Sequence, residues 1–186
     1  MRKHQLLSIL VLFCLFMSTS SCIDDVDFEQ GEEFVLLQSN TVSLVSFDIG
    51  NEEFDQSSTP GVVSDVTRLE FLAEPVVQEH LNNVTFVFEY NNTYAQSFSN
   101  RIVFLTEEDE ERYVIAFDVD ASLDGREQET LHVEGVPESE LENIKESIKV
   151  QIELRRNDNG EPVTGNIRLR SRADFILEYG GPSTGN

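Results

Sequence analysis

From Glu32 onward, apolar and polar residues alternate with a period of two in short runs rich in Val, Ile, Phe and Tyr. That period puts successive side chains on opposite faces of an extended chain, so the runs read as half-buried strands. The pattern predicts strands over 34–38, 41–49, 67–72, 84–90, 97–106, 112–121, 129–133, 148–156 and 166–179. Phe86, Phe88 and Tyr90 share one face in the strongest pattern, as do Tyr113, Ile115, Phe117 and Val119, and one face of each strand goes inward.

The breaks between the runs are as legible as the runs. Residues 107–111 form a charged connection between two strong strands, and Asn157, Asp158, Asn159 and Gly160 tolerate the positive φ of a hairpin turn. Two short helices are expected. One covers 75–81 with Pro75 in its first turn. The other covers 137–147 with Leu141, Ile144 and Ile148 on one face and Ser139 and Glu142 at capping-box spacing. The polar stretch 50–64 reads as a long exposed loop. Short strands at this spacing predict a mainly β protein, an antiparallel Ig-like β-sandwich with one or two short helices. The expected organisation is a signal segment over 1–21, a tether over 22–31, the sandwich over 32–180 and a flexible tail over 181–186.

The N-terminal segment breaks the strand pattern. Arg2, Lys3 and His4 precede an apolar run over 6–16, and Ser18, Thr19, Ser20 and Ser21 lead to Cys22. A basic start, a short apolar run and small residues make a secretory signal. The run is too short to span a bilayer, which needs roughly 20 residues. Ser20, Ser21 and Cys22 resemble the lipobox of bacterial lipoproteins, and the resemblance implies lipidation of Cys22. Thr19 stands where Leu is most common. The acidic cluster Asp24, Asp25, Asp27 and Glu29 resembles the export signal of Bacteroidota surface lipoproteins. The segment 77–104, with FVFEYNNTYAQSF (residues 86–98) at its centre, likewise resembles uncharacterised lipoproteins of flavobacteria and their relatives. That resemblance implies an Ig-like sandwich and a structural motif, with no activity attached.

Composition supports a core and narrows the partners. The 186 residues include 13 Phe and no Trp, and the formal charge is −22. Loss of Arg2 and Lys3 with the signal leaves 11 basic against 35 acidic residues, or −24. Such a surface repels nucleic acid and anionic headgroups, so no nucleic-acid partner is expected. The two cysteines are Cys14, inside the signal, and Cys22, which leaves no pair for a disulfide in the mature chain.

Catalytic motifs are sparse. His80 and His132 have no zinc spacing, and no G-x-S-x-G or phosphate-cradling loop occurs. Acid pairs such as Glu107 with Glu108 arise by abundance. No cofactor is expected: Asp118, Asp120 and residues 157–160 offer hard oxygens to calcium but match no EF-hand, and a turn and a solvated strand face account for them better. Arg155, Arg156, Arg168, Arg170 and Arg172 fall in one expected hairpin, with the last three alternating with Ile167, Leu169 and Ser171. Arg155, Arg168, Arg170 and Arg172 make a candidate docking stripe for an anionic glycan or an acidic partner. The competing reading pairs them with the chain's own acids, such as Glu153.

These features lead to the expectation of a non-enzymatic lipoprotein, held in the outer membrane by its lipid and facing the cell surface. It would be a binding or assembly module in an outer-membrane protein complex. The alternative is a carbohydrate- or calcium-binding accessory module, which would use exposed aromatics such as a cluster at Tyr90, Tyr94 and Phe98.

Overall fold

The structure, a computed structural model, describes residues 34–180. The expected signal segment, the tether with Cys22, Asp24, Asp25, Asp27 and Glu29, and the tail over 181–186 lie outside the described residues. In chain order the elements are β1 (Val35–Ile49), α1 (Asn51–Gln56), β2 (Val62–Arg68), α2 (Pro75–His80), β3 (Leu81–Asn92), β4 (Phe98–Leu105) and β5 (Glu111–Val119). They continue with β6 (Gln128–Gly135), α3 (Leu141–Lys145), β7 (Lys149–Arg156) and β8 (Ile167–Gly180). Two four-stranded antiparallel sheets result, the first ordered β1-β8-β3-β6 and the second β2-β7-β4-β5. This is the β-sandwich expected from the alternation.

The sheets are held together by the residues that alternate inward. Phe86, Phe88 and Tyr90 of β3 are at most 1% exposed. Phe86 meets Phe104 of β4 at 4.6 Å between ring centroids, and Phe88 and Tyr90 each meet Phe117 of β5 at 6.0 Å. Fully burying a side chain of this size contributes about 1.5–3 kcal/mol. The inner layer also carries one buried polar link, in which the Tyr90 hydroxyl donates to Asn100 Oδ1 at 2.9 Å. At the side of the sandwich the Tyr113 hydroxyl donates to Glu134 Oε1 at 3.0 Å, joining β5 to β6.

Several local expectations need correction. The separate strands over 34–38 and 41–49 belong to the single strand β1. The expected strand over 67–72 is displaced: β2 ends at Arg68, and Glu70–Ala73 is a 3-10 turn that buries Leu72. β2 instead begins inside the stretch read as a loop, because an edge strand with one neighbour can keep Ser64 and Asp65 in water. The same stretch also holds α1, whose Phe54 is buried against Phe98 at 5.4 Å. Pro75 opens α2 as expected. In α3 Leu141 and Ile144 are buried, but the helix is shorter than the pattern suggested and no side chain caps it. Ile148 already has strand partners there, accepting from Leu69 N–H and donating to Leu105 C=O.

The expected hairpin between residues 156 and 166 does not form. β7 and β8 lie in opposite sheets, and the segment between them crosses the sandwich. Gly160 has the positive φ foreseen, at 79°. Gly165 fits where no side chain could: an added Cβ would stand 2.8 Å from the Tyr94 backbone nitrogen. Asn166 then ties down the crossing, its N–H donating to Thr93 Oγ1 at 2.8 Å.

β1 contains an irregularity that fixes what its outer face presents. Thr41 donates to Asp174 at 2.7 Å and Arg168 donates to Asp48 at 3.2 Å, so β1 and β8 run antiparallel. From Thr41 to Asp48 is seven residues, whereas from Arg168 to Asp174 is six, so β1 has one extra residue. The extra residue falls at Leu44 and Val45, which both pack against the core. Ser171 seals the resulting bulge: its hydroxyl donates to Val45 C=O at 2.7 Å and accepts from Val45 N–H at 3.0 Å. A bulge bends the strand and re-aims the side chains beside it. Replacing Ser171 by Ala leaves both main-chain groups without that partner and should cost about 1–3 kcal/mol. Urea unfolding at equilibrium will show it, with the midpoint lowered and the slope unchanged.

Candidate binding face

The outer face of the first sheet is built as a grid. On β8 the residues Ile167, Leu169, Ala173 and Phe175 are buried, so Arg168, Arg170, Arg172 and Asp174 point away from the core. Register then sets three rows across β6, β3 and β8: Glu129, Asn91 and Arg168; Leu131, Glu89 and Arg170; Val133, Val87 and Arg172. Leu131 and Val133 are 58% and 56% exposed. Apolar positions thus stand on one side of this face and arginines on the other.

The three arginines differ in their neighbours. Arg168 pairs with Asp48 of β1 at 3.2 Å, and Asn166 Nδ2 donates to the other oxygen of the same carboxylate. Arg172 pairs with Asp174 at 3.2 Å. The Thr41 hydroxyl, seconded by Arg172, holds the Asp174 carboxyl below the usual carboxylate range. Arg170 is exposed and makes no ion pair among the described residues, including with Glu89 opposite it in register. It lines a depression of about 320 Å³ together with Ser43, Leu44, Val45, Ser46 and Ser171, at the bulge in β1. The sequence pattern singled out Arg168, Arg170 and Arg172 but not the serines. No periodicity signals the inserted residue that sets Ser43 and Ser46 beside Arg170.

Arg155 does not belong to this face. It lies on β7 in the second sheet and pairs with Glu153, two residues earlier on the same strand, at 3.2 Å. Arg156 is further removed from solvent, with its guanidinium carbon 5.7 Å from the Phe54 ring centroid, a cation–π contact. The expectation of one stripe containing Arg155 is thereby corrected: alternation gives a residue's face but not its sheet.

The other candidates resolve into structural roles. Tyr90, Tyr94 and Phe98 are each 0% exposed, so this cluster cannot stack on a sugar at the surface. The motif FVFEYNNTYAQSF makes a corner instead. Asn92, itself fully buried, donates to the carbonyls of Gln96 and Asp120 and accepts from Tyr94 N–H. His132 faces the gap between the sheets, stacked on Phe117 at 4.0 Å, with Nε2 3.3 Å from Glu134. His80 closes α2 against Tyr179 at 4.4 Å. Glu107 accepts both oxygens' worth of bonding from Arg68, which lowers its pKa.

The side-chain oxygens of Asp118, Asp158 and Asn159, suggested above for calcium, are engaged locally. Asp118 accepts from Ser99, and the Asp158 and Asn159 side-chain oxygens accept from the turn N–H groups of Gly160 and Glu161. Among the described residues no group of three or more His, Cys, Asp or Glu is arranged to hold a metal ion. No described helix is long and apolar enough to cross a membrane.

No family model and no curated protein matches this sequence. Solved structures with a similar arrangement include a candidate secreted protein of Parabacteroides distasonis, 14% identical over 64% of this chain and 38% of that one, with a TM-score of 0.45. Another is the VP2 subviral particle of infectious bursal disease virus, 9% identical over 79% and 34% of the two chains, with a TM-score of 0.42. A third is PfGH50B, 12% identical over 81% and 23%, with a TM-score of 0.41. The chain spans less than two fifths of each of these proteins.

Burial of Tyr90, Tyr94 and Tyr113 has a consequence in alkali. Removal from water raises the Tyr94 and Tyr113 hydroxyls to about 12, and burial raises Tyr90 as well. A folded-state pKa above the unfolded value near 10 means the native state holds these protons more tightly. The associated stability is complete below pH about 10 and falls as pH rises toward about 12. Tyrosinate absorbance should therefore lag behind that of free tyrosine and rise together with loss of the circular-dichroism signal of the sheets.

Proposed function

We propose that this chain is a lipoprotein of the outer membrane, anchored through Cys22 and facing the cell surface, that works without catalysis as a binding or assembly module. The observation that supports the module reading best is the outer face of the first sheet. In a chain with 35 acidic and 13 basic residues, three arginines line up on one strand there, beside exposed Leu131 and Val133. Arginine and exposed apolar side chains together are the makings of a protein contact surface. The sandwich interior, by contrast, is filled by interlocking aromatic rings. Burial of Tyr90, Tyr94 and Phe98 counts against the carbohydrate-binding alternative.

The anchor reading rests on the basic start, the short apolar run and the small residues before Cys22. Each buried methylene of an acyl chain contributes about 0.8 kcal/mol, so several chains on one cysteine hold a protein firmly to a bilayer. Cys22→Ser should move the protein from the membrane fraction to the soluble fraction; retention in the membrane would contradict the lipid anchor. Affinity purification of the tagged wild-type chain from its native envelope should recover a stable partner protein. Repeated recovery of the chain alone would contradict the assembly role.

A further inference from the structure

We infer that the first sheet binds an extended acidic protein segment, which adds to the free edge of β1 and places a carboxylate on Arg170 in the depression at the bulge. This inference rests on the module reading above and names the chemistry of its partner.

The first support is an unfilled charge. Arg168 and Arg172 are held by Asp48 and Asp174, whereas Arg170 between them has no ion-pair partner among the described residues. A guanidinium offers a planar fork of donors that fits a carboxylate with two parallel bonds. Ser43 and Ser46 line the same depression of about 320 Å³ and supply hydroxyl donors beside that fork. The fixed neighbours on either side limit where Arg170 can swing, so the site is partly organised before binding.

The second support is independent and lies in the backbone. Among the described residues β1 has β8 on one side and no strand on the other, so along one edge of this 15-residue strand the main-chain groups have no described sheet neighbour. Extended peptides bind such edges through main-chain hydrogen bonds and gain specificity from pockets for alternate side chains. The depression next to Arg170 is a pocket of that kind, within reach of a side chain projecting from an added strand.

The composition of the face selects protein over glycan. Its outward residues on β3, β6 and β8 include Leu131, Val133 and Val87 and no aromatic ring on which a sugar could stack. Because the whole chain is acidic, its long-range field opposes an acidic segment, and salt screens that field. The contact therefore depends on Arg170 at short range.

The test uses the full chain purified in detergent from the envelope and a fluorescein-labelled Glu-Thr repeat peptide, read by polarisation at physiological salt. The peptide should bind. Arg170→Gln should weaken it by about tenfold or more, with the thermal midpoint unchanged, while Arg155→Gln on the other sheet leaves binding as it was. A Gln-Thr repeat should bind about as weakly as the Arg170→Gln variant binds the acidic probe. Methylating alternate amide nitrogens of the acidic probe should remove binding, since strand addition needs those donors.

Equal affinity of wild type and Arg170→Gln would overturn the inference, as would full binding of the methylated probe. Binding of an oligogalacturonate in place of the peptide would also overturn it. The module reading fails separately: if a partner is recovered from the envelope equally by wild type and Arg170→Gln, assembly stands and the Arg170 site does not. If nothing is recovered and no probe binds, both fall.

Discussion

Everything in this domain depends on the aromatic layer that β3 drives between the two sheets. Phe86, Phe88 and Tyr90 leave the centre of one sheet and meet Phe104 and Phe117 of the other. Edge-to-face and tilted ring pairs of this kind add about 0.5–1.5 kcal/mol each beyond the area they bury. The Tyr90 hydroxyl bonding Asn100 makes the layer directional as well, because sliding one sheet past the other would strand two buried polar groups. A sandwich filled in this way has its inner surfaces committed to stability. A binding role, as proposed, would fall to the outer faces and the edges.

On the outer face, the bulge in β1 is the feature that turns an ordinary strand pair into something distinctive. Ser171 points inward, and its hydroxyl bonds both main-chain groups of Val45. The inserted residue lets Leu44 and Val45 both pack on the core, and still returns Asp48 to the side where Arg168 waits. One small hydroxyl thus connects core packing to the spacing of charges on the surface. Asp48 and Asp174 restrain the outer arginines and leave the middle one available.

The strands were legible because half-buried strands carry their alternation in plain view, and Phe86 to Tyr90 or Tyr113 to Val119 could hardly be read otherwise. The arginines of β8 were legible for the same reason. Partnership was not. Arg155 and Arg168 look like two arms of a hairpin, yet the connection crosses between sheets, and nothing in the local pattern of residues 157 to 166 reports the crossing. β2 was hidden because an edge strand needs little apolar content, so its first residues, up to Ser64, read as loop. The bulge was hidden because a single inserted residue only looks like a blurred period in Leu44 and Val45. Burial of Tyr94 was missed because a tyrosine beside Asn-Thr resembles a loop tip, whereas Asn92 folds that tip inward.

The domain is an acidic sandwich with one face set apart by arginine and exposed valine and leucine. The proposed partner meets this face of the first sheet rather than the second. A photo-crosslinking residue placed at Ser46, beside Arg170, and separately at Val66, an exposed position on β2 of the second sheet, tests it directly in the living envelope. Ser46 should give a discrete protein adduct and Val66 none. Adducts from Val66 alone, or from both positions equally, would contradict it.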